Sequence, residues 1–365
     1  MKEKNKEESW TFSSKYWMDV VLIFLGIFIR IFMLIFYYYV NSNPSIPWGG
    51  WGDVDSNYYD IDTIFTGEWI WNQGDLPYPP LSIYFLLSLR ILSFGIFELY
   101  VFYAFLLEFC VAISFYFVLK RFSIPKRNFI FGIFLLNPFY FLSYVFSASN
   151  CGYHITDSFF LLFLMISLYF CPKENKSLFY LFLGLAMCAK WYTLPAAPYF
   201  IIKYFLEKEW SELKKIFLFI GIPIIIFLVS PIFYLPNYLD LYFNWLSITD
   251  SSYENMFLFY LKLIPFFTVF ILYLVLRLKD ADRIEITFVS IILMNLVMLW
   301  FNLFVRYLTP LILYGHLKTN NKIIRINLNL KVIRIKFNIG NHLLTFILSI
   351  LGCIAAILII IFIFQ

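Results

Sequence analysis

Long apolar runs separated by short polar connections make up most of the chain. A helix that crosses a bilayer needs about 20 apolar residues. Runs near this length lie at residues 17–40, 99–119, 128–146, 157–171, 216–235, 256–276, 286–305 and 343–364. Two shorter crossings fall within 177–206, around Pro195 and Pro198, and a short return covers 306–317. The pattern therefore predicts an all-α polytopic membrane protein with about 10–11 transmembrane helices.

Composition strengthens the membrane prediction. Hydrophobic residues make up 62% of the 365 positions and charged residues 14%. A soluble chain of this length could not bury so much apolar surface. The lysine-rich N-terminus leads into the first run without a small-residue cleavage site, which favours a retained first span over a signal peptide. The five cysteines show no metal-ligand spacing and are interpreted as packing residues.

Basic and acidic residues sort onto opposite sides of the predicted spans. Of the 28 Lys and Arg residues, 23 fall in six segments predicted to be cytosolic: 1–17, 120–127, 172–177, 203–215, 277–285 and 318–336. The segments predicted on the other side hold ten acidic residues and only two basic ones, Lys190 and Arg306. Because basic residues concentrate in cytosolic loops, the acidic stretch GDVDSNYYDIDTIFTGEWIWNQGDLPYPP (52–80) is predicted to be extracytosolic.

The path of residues 80–95 fixes this topology. If this apolar stretch crossed the bilayer, the basic segment 120–127 would share a side with the acidic loop, against the positive-inside rule. We therefore predict an interfacial or re-entrant helix on the same side as the loop. Residues 41–95 then form one extracytosolic unit.

Six carboxylates and no Lys or Arg occupy residues 52–80. Asp53, Asp55, Asp60 and Asp62 are closely spaced and interleaved with aromatic residues, whereas solvated acidic loops are usually richer in Ser, Lys and Glu. Grouped carboxylates serve as general bases toward a hydroxyl or as ligands of a divalent cation such as Mg²⁺ or Mn²⁺. The alternative is a solvated acidic loop that has no catalytic or metal-binding role.

The two extracytosolic cations, Lys190 and Arg306, each stand at the end of an apolar run. A cation at the end of a transmembrane run either extends its charged group to the lipid headgroups or pairs with an anion inside the bundle. Two inward cations opposite a carboxylate cluster suit a phosphorylated donor. The cations would stabilise the departing phosphate while a carboxylate accepts the proton of the nucleophile.

Four further residues are candidates for a role beyond packing. Arg30 and Glu108 lie within predicted spans and are not expected to face lipid, so we hypothesise an ion pair between them. His154 and Asp157 lie close together in the extracytosolic SNCGYHITD and are either loop residues or substrate contacts. No GxSxG, P-loop, GxGxxG or HExxH motif is present, which disfavours ATP-driven transport by this chain itself.

A series of short motifs resembles the GT-C superfamily of glycosyltransferases, multi-span enzymes that use polyprenyl-phosphate sugars. The similarity covers roughly residues 20–317 and is greatest to the catalytic subunit of glycosylphosphatidylinositol mannosyltransferase I and to related prokaryotic membrane mannosyltransferases. GDLPYPPL also resembles the DYPPL motif of lipid-linked-oligosaccharide glucosyltransferases. The matching motifs are DVD (53–55) with a further Asp at 60, GDLPYPPL (74–81), the acid at 108, LNPF (136–139), TDS (156–158), AKWYTLP (189–195) and VRYLTP (305–310).

The resemblance implies a polyprenyl (dolichyl) phosphate sugar donor, an inverting direct displacement and an extracytosolic site. A hexose, with mannose as the first choice and glucose as the alternative, would move to a hydroxyl of a glycolipid, a lipid-linked oligosaccharide or a protein. In this scheme Asp55 or Asp53 is the base, and Asp60 and Asp62 are second choices. No metal ligands are assigned, and whether a divalent cation (Mg²⁺ or Mn²⁺) is needed stays open.

The resemblance also implies roles for the remaining candidates. Lys190 and Arg306 would hold the donor phosphate, and Glu108 would orient the loop or the donor. The other substrate contacts would be Tyr78, Pro79, Pro80, His154 and Asp157.

Two other function classes stay open at this point. A lipid-sugar transporter or flippase would usually show internal repeats, and none is visible. A non-catalytic membrane subunit would not need the aspartate cluster. No nucleic-acid partner is expected, and the Ile-, Phe-, Lys- and Asn-rich composition favours a prokaryotic plasma membrane over the endoplasmic reticulum.

The predicted domain organisation is simple. Residues 1–317 form the GT-C-like transmembrane domain, with 41–95 as its acidic catalytic loop and interfacial helix. Residues 318–342 form a basic cytosolic loop, and 343–365 form a C-terminal transmembrane helix.

Overall fold

Helices account for almost all of the residues that the structure, a computed structural model, describes. This confirms the predicted mostly helical class. The described residues are 17, 20–28, 31–32, 35, 53–66, 78–124, 127–135, 155–172, 176–234, 256–299, 317, 324–329 and 334–339. The predicted last span, 343–365, lies outside them.

The helices are numbered in chain order. They are α1 (Asp53–Asp62), α2 (Pro80–Leu92), α3 (Phe97–Arg121), α4 (Arg127–Leu135), α5 (Ile155–Phe170), α6 (Ser177–Ala189), α7 (Ala196–Leu206), α8 (Trp210–Phe233), α9 (Met256–Leu276) and α10 (Arg283–Leu299). Short 3₁₀ turns cover Thr63–Thr66, Trp191–Thr193 and Leu278–Asp280.

Two helices in the described part are long and apolar enough to cross a membrane. Helix α3 has 25 residues and a mean hydropathy of 2.1, and α8 has 24 residues and a mean hydropathy of 2.8. Helices α2, α5 and α6 and the second part of α9 are apolar but shorter. The two long helices support membrane association, and the full set of spans stays a prediction.

Helices α5 and α6 form a tightly packed pair at the centre of the described bundle. The Ser167 hydroxyl donates a 2.9 Å hydrogen bond to the Phe179 carbonyl, and the rings of Phe170 and Phe182 stack at 6.0 Å. Aromatic rings also join α3 to α4, where Phe115 packs on Phe134. The first predicted span is helical at its described positions, and Gly26 lies against Leu135 of α4.

Helix α8 approaches α6 closely at a glycine. A Cβ atom on Gly184 would lie 2.9 Å from the Phe219 carbonyl oxygen and 3.0 Å from the Ile220 Cα. Around this contact α8 is locally π-helical, at Phe217–Gly221 and again at Ile225–Val229. Pro223 lies between the two π-helical segments, and its missing N–H interrupts the regular hydrogen-bond ladder.

The predicted break within 177–206 is present. Helix α6 ends at Ala189, the chain turns through Trp191–Thr193, and α7 begins after Pro195. Proline at this position suits the start of a helix because its missing N–H would have no intrahelical acceptor there. The break leaves Lys190 at the C-terminal end of α6 in an extended conformation.

One departure from the helical prediction falls within the segment predicted as a basic loop. Strand β1 (Ile324–Asn329) pairs antiparallel with β2 (Arg334–Ile339) as a hairpin, with Ile324 opposite Ile339 and Asn329 opposite Arg334. The alternation of Ile, Leu and Phe with Arg, Asn and Lys in these strands has the period of two that favours β-structure over helix.

Candidate functional site

The acidic helix α1 is anchored by one buried face. Val54, Asn57, Tyr58 and Ile61 are buried at helical spacing. The Tyr58 hydroxyl donates a 2.6 Å hydrogen bond to the Gly95 carbonyl in the turn between α2 and α3. This face holds α1 against the start of α3.

Asp62, at the end of α1, forms an ion pair with Arg90 of α2. Its Oδ1 lies 2.6 Å from Arg90 Nη2, and the guanidinium carbon lies 4.4 Å from the centre of the Tyr58 ring. Burial raises the pKa of the Tyr58 phenol, and the nearby Arg90 charge only partly offsets this. The phenol therefore stays protonated and keeps donating to the Gly95 carbonyl.

The first-choice bases, Asp53 and Asp55, both belong to α1. Their side chains lie outside the described part of the structure. From the backbone, Asp53 is one helical turn before Asn57 and shares its side of the helix. Asp60 is half-buried, and its carbonyl accepts a 2.6 Å hydrogen bond from the Thr63 hydroxyl.

Lys190 and Asp157, both predicted as site residues, form an ion pair with each other. Lys190 is 9% exposed, and its Nζ lies 5.3 Å from the centre of the Tyr192 ring. Asp157 occupies the first turn of α5 and Lys190 follows the last turn of α6, so each charge lies at the helix end where the backbone dipole favours it. Their sequence separation is 33 residues, and the sequence did not suggest the pair.

Helix α2 is docked beside this ion pair. The Ser82 hydroxyl donates a 2.6 Å hydrogen bond to the Ala189 carbonyl, which a helix end leaves without an intrahelical donor. Pro79 and Pro80 are buried at the start of α2, and Tyr78 before them is half-buried. The predicted substrate contacts Tyr78, Pro79 and Pro80 therefore lie close to the turn that carries Lys190.

The two groups of predicted residues meet α2 at different points along its length. The Lys190 turn contacts α2 at Ser82, and the acidic helix contacts it at Arg90. Eight residues of helix separate these positions, an axial distance of about 12 Å. Among the described residues, the structure thus brings Lys190 to Asp157 and Asp62 to Arg90, and it links both pairs through α2.

Of the remaining predicted residues, one is buried and the others lie outside the described residues. Glu108 is fully buried in the middle of α3. Its hypothesised partner Arg30 lies outside the described residues, as do Arg306 and His154. The Arg30–Glu108 pair stays a hypothesis.

Asn57 is a candidate site residue that the sequence did not indicate. It is 1% exposed, and within the described part of the chain neither atom of its amide has a hydrogen-bond partner. A buried amide without partners is costly in a folded protein and is a reason to expect a ligand or bound water. The only sequence signal was its place among the aspartates.

In the described ranges, no group of three or more His, Cys, Asp or Glu residues is arranged to hold a metal ion. Because the side chains of Asp53 and Asp55 are not among those described, the open question of a divalent cation is unchanged.

No protein-family model, curated protein or solved structure matches this chain. A functional assignment therefore depends on its own residues.

Proposed function

We propose that this chain is a polytopic membrane glycosyltransferase. It moves a hexose, with mannose as the first choice, from a polyprenyl-phosphate sugar to a hydroxyl acceptor on the extracytosolic face and inverts the anomeric carbon. Lys190 binds the donor phosphate, and Asp55 or Asp53 removes the proton of the acceptor.

The proposal rests mainly on two contacts that α2 makes, one near each end of the helix. One side chain of this helix contacts the turn of the predicted phosphate-binding lysine, and another contacts the acidic helix. A single 13-residue helix thus couples the two parts of the predicted site. This coupling supports a common site because sequence positions 53–62 and 190 are otherwise far apart.

An inverting displacement requires the base and the phosphate-binding cation to be apart, and the two parts of the predicted site contact α2 at different positions. In such a reaction the base and the leaving group lie on opposite faces of the sugar. In inverting glycosidases the two catalytic carboxyl groups are about 6.5–9.5 Å apart for the same reason. A lysine in direct contact with the base would leave no room for the sugar ring between them.

Asp157 gives Lys190 a counter-ion before the donor arrives. Because the ammonium is almost fully buried, it needs an anion at every stage. A donor phosphate approaching Lys190 takes over part of this interaction. The charge that develops on the leaving phosphate is then stabilised by a cation that is already in position.

Asn57 extends the proposed site on α1. Its buried amide has both a donor and an acceptor to offer, which matches the two hydrogen-bonding modes of a sugar hydroxyl. We assign it to acceptor or sugar binding beside the catalytic aspartate.

The decisive experiment is a transfer assay on purified protein. Radiolabelled polyprenyl-phosphate mannose and a mixed membrane-glycolipid acceptor are supplied, with and without a chelator, and polyprenyl-phosphate glucose is tested in parallel. Asp55→Asn and Asp53→Asn, singly and together, are expected to remove transfer without unfolding the protein. Glu98→Gln is the matched control, because Glu98 is an exposed carboxylate at the start of α3 outside the proposed site.

The outcomes separate the competing function classes. Full transfer in both single variants and in the double variant contradicts the assignment of the base. Donor movement across vesicles without transfer favours a flippase. An absence of both, with transfer restored by a second chain, favours a non-catalytic subunit.

A further inference from the structure

A single buried carboxylate gathers three cations at the end of the bundle predicted to be cytosolic. Glu212 Oε1 lies 2.8 Å from Lys215 Nζ and 3.9 Å from Lys176 Nζ. Glu212 Oε2 lies 3.6 Å from Arg283 Nη2 and accepts a 2.9 Å hydrogen bond from the Tyr180 hydroxyl. Within the described part of the chain, three positive charges thus share the one carboxylate of Glu212, and the cluster has a positive excess.

The acidic residues next to Arg283 in sequence have other partners. Asp282 Oδ1 accepts a 2.8 Å hydrogen bond from the backbone N–H of Glu285 and caps the start of α10. Glu285 forms an ion pair with Arg277 at 2.9 Å. Among the described residues, Glu212 is the carboxylate that all three cations contact.

The geometry of the Glu212 cluster favours a second anion. The ammonium groups of Lys176 and Lys215 contact the same carboxylate oxygen, so two like charges are held close together. Their side chains are 27% and 31% exposed, and a ligand can reach them from outside. A phosphate group, with several oxygens, could contact both lysines without displacing Glu212.

The surface next to the cluster indicates that the phosphate belongs to a lipid. Directly after Lys215, helix α8 presents exposed apolar side chains, among them Phe217 at 60% and Leu218 at 51%. Trp210 is exposed just before the lysine. Tryptophan and basic residues typically lie at the membrane–water interface, and the apolar surface of a helix continues from there into the bilayer. The cytosolic leaflet carries anionic headgroups that attract such basic segments.

We propose that the Glu212 cluster binds the phosphate of an anionic phospholipid headgroup, whose acyl chains lie along the exposed apolar face of α8. This site is separate from the Lys190 region and does not depend on sugar transfer.

The test uses the full-length protein in an uncharged detergent. Phosphatidylglycerol, phosphatidylcholine or inorganic phosphate is titrated in, and the midpoint of thermal unfolding is recorded at each concentration. Phosphatidylglycerol is expected to raise the midpoint more than phosphatidylcholine, and inorganic phosphate to leave it unchanged. Lys176→Gln and Lys215→Gln should each weaken the apparent affinity for phosphatidylglycerol about fivefold.

Lys214→Gln is the matched control for these variants. Lys214 is exposed, carries the same charge and adjoins Lys215 on the same helix. Equal shifts from both phospholipids, or an equal loss in Lys214→Gln, would overturn the site. An equal shift from inorganic phosphate would assign the cluster to free phosphate and overturn the lipid. Glutamine keeps a hydrogen-bond donor toward Glu212, so the variants are expected to fold.

Discussion

The Ser82 hydroxyl lies 2.6 Å from the Ala189 carbonyl oxygen, and this contact joins the predicted interfacial helix α2 to the end of α6. Both residues are fully buried, and they are 107 positions apart in the chain. The bond does two things at once. It satisfies the last carbonyl of α6, and it places α2 beside the turn that carries Lys190.

We expect Ser82→Ala to lower the free energy of unfolding by about 1–3 kcal/mol, because a buried carbonyl would lose its donor. Chemical unfolding in detergent measures this. Ser88→Ala, on the same helix, is the control: Ser88 is exposed and bonds to the Tyr84 carbonyl one turn earlier, so its loss should cost less than about 0.5 kcal/mol. Equal effects in the two variants would show that the long-range bond contributes nothing.

Gly184→Ala should destabilise the protein, by about 1–3 kcal/mol. The new methyl group would lie within 3.0 Å of backbone atoms of Phe219 and Ile220, which cannot move aside as a side-chain tip can. Gly221→Ala is the matched control, since nothing lies within 4 Å of a Cβ atom there. That change should be neutral or stabilising by up to about 1 kcal/mol. The midpoint of thermal unfolding distinguishes the two, and a Gly184→Ala protein as stable as wild type would disprove the close packing.

Lys190→Met and Asp157→Leu should each destabilise the protein by about 3–5 kcal/mol, because each leaves one buried charge without its counter-ion. Combining them removes both charges and should recover much of the lost stability. Sugar transfer should not recover in the double variant, because the donor phosphate has lost its lysine. Stability and transfer are measured on the same preparations. A stable double variant with full transfer would reduce the ion pair to a structural role.

Asn57→Leu is expected to raise the free energy of unfolding by about 1 kcal/mol, since a buried amide without partners is replaced by an apolar group of similar size. Transfer should fall at the same time, because the proposed sugar contact is lost. Unfolding curves and transfer rates on the same samples test this. A loss of stability would show instead that the amide has structural partners, and unchanged transfer would remove Asn57 from the site.

Much of the helical architecture was predictable because its signals are local. Apolar runs predicted α3 and α8, and Pro195 marked the break before α7. The short hairpin Ile324–Ile339 was not predicted, although its alternating apolar and polar residues were visible in the sequence. The basic residues of that segment, which favour a cytosolic loop, also occupy polar positions of the alternation.

The candidate site was predictable only as a set of residues. The sequence indicates Lys190 and Asp157 separately, through their charge and their predicted extracytosolic positions. That they contact each other depends on the packing of α5 against α6, and that Asp62 meets Arg90 depends on the docking of α1 on α2. No local pattern encodes which of several cations a carboxylate will reach.

The sequence by itself determined the apolar helical character of this protein and the grouping of its aspartates, because hydrophobic periodicity and charge are properties of neighbouring residues. Tertiary structure alone decided the long-range partners: Ser82 with Ala189, Lys190 with Asp157, and Glu212 with Lys176 and Arg283. These contacts join residues that are distant in the chain, and they form only when helices with many possible packing arrangements adopt one of them.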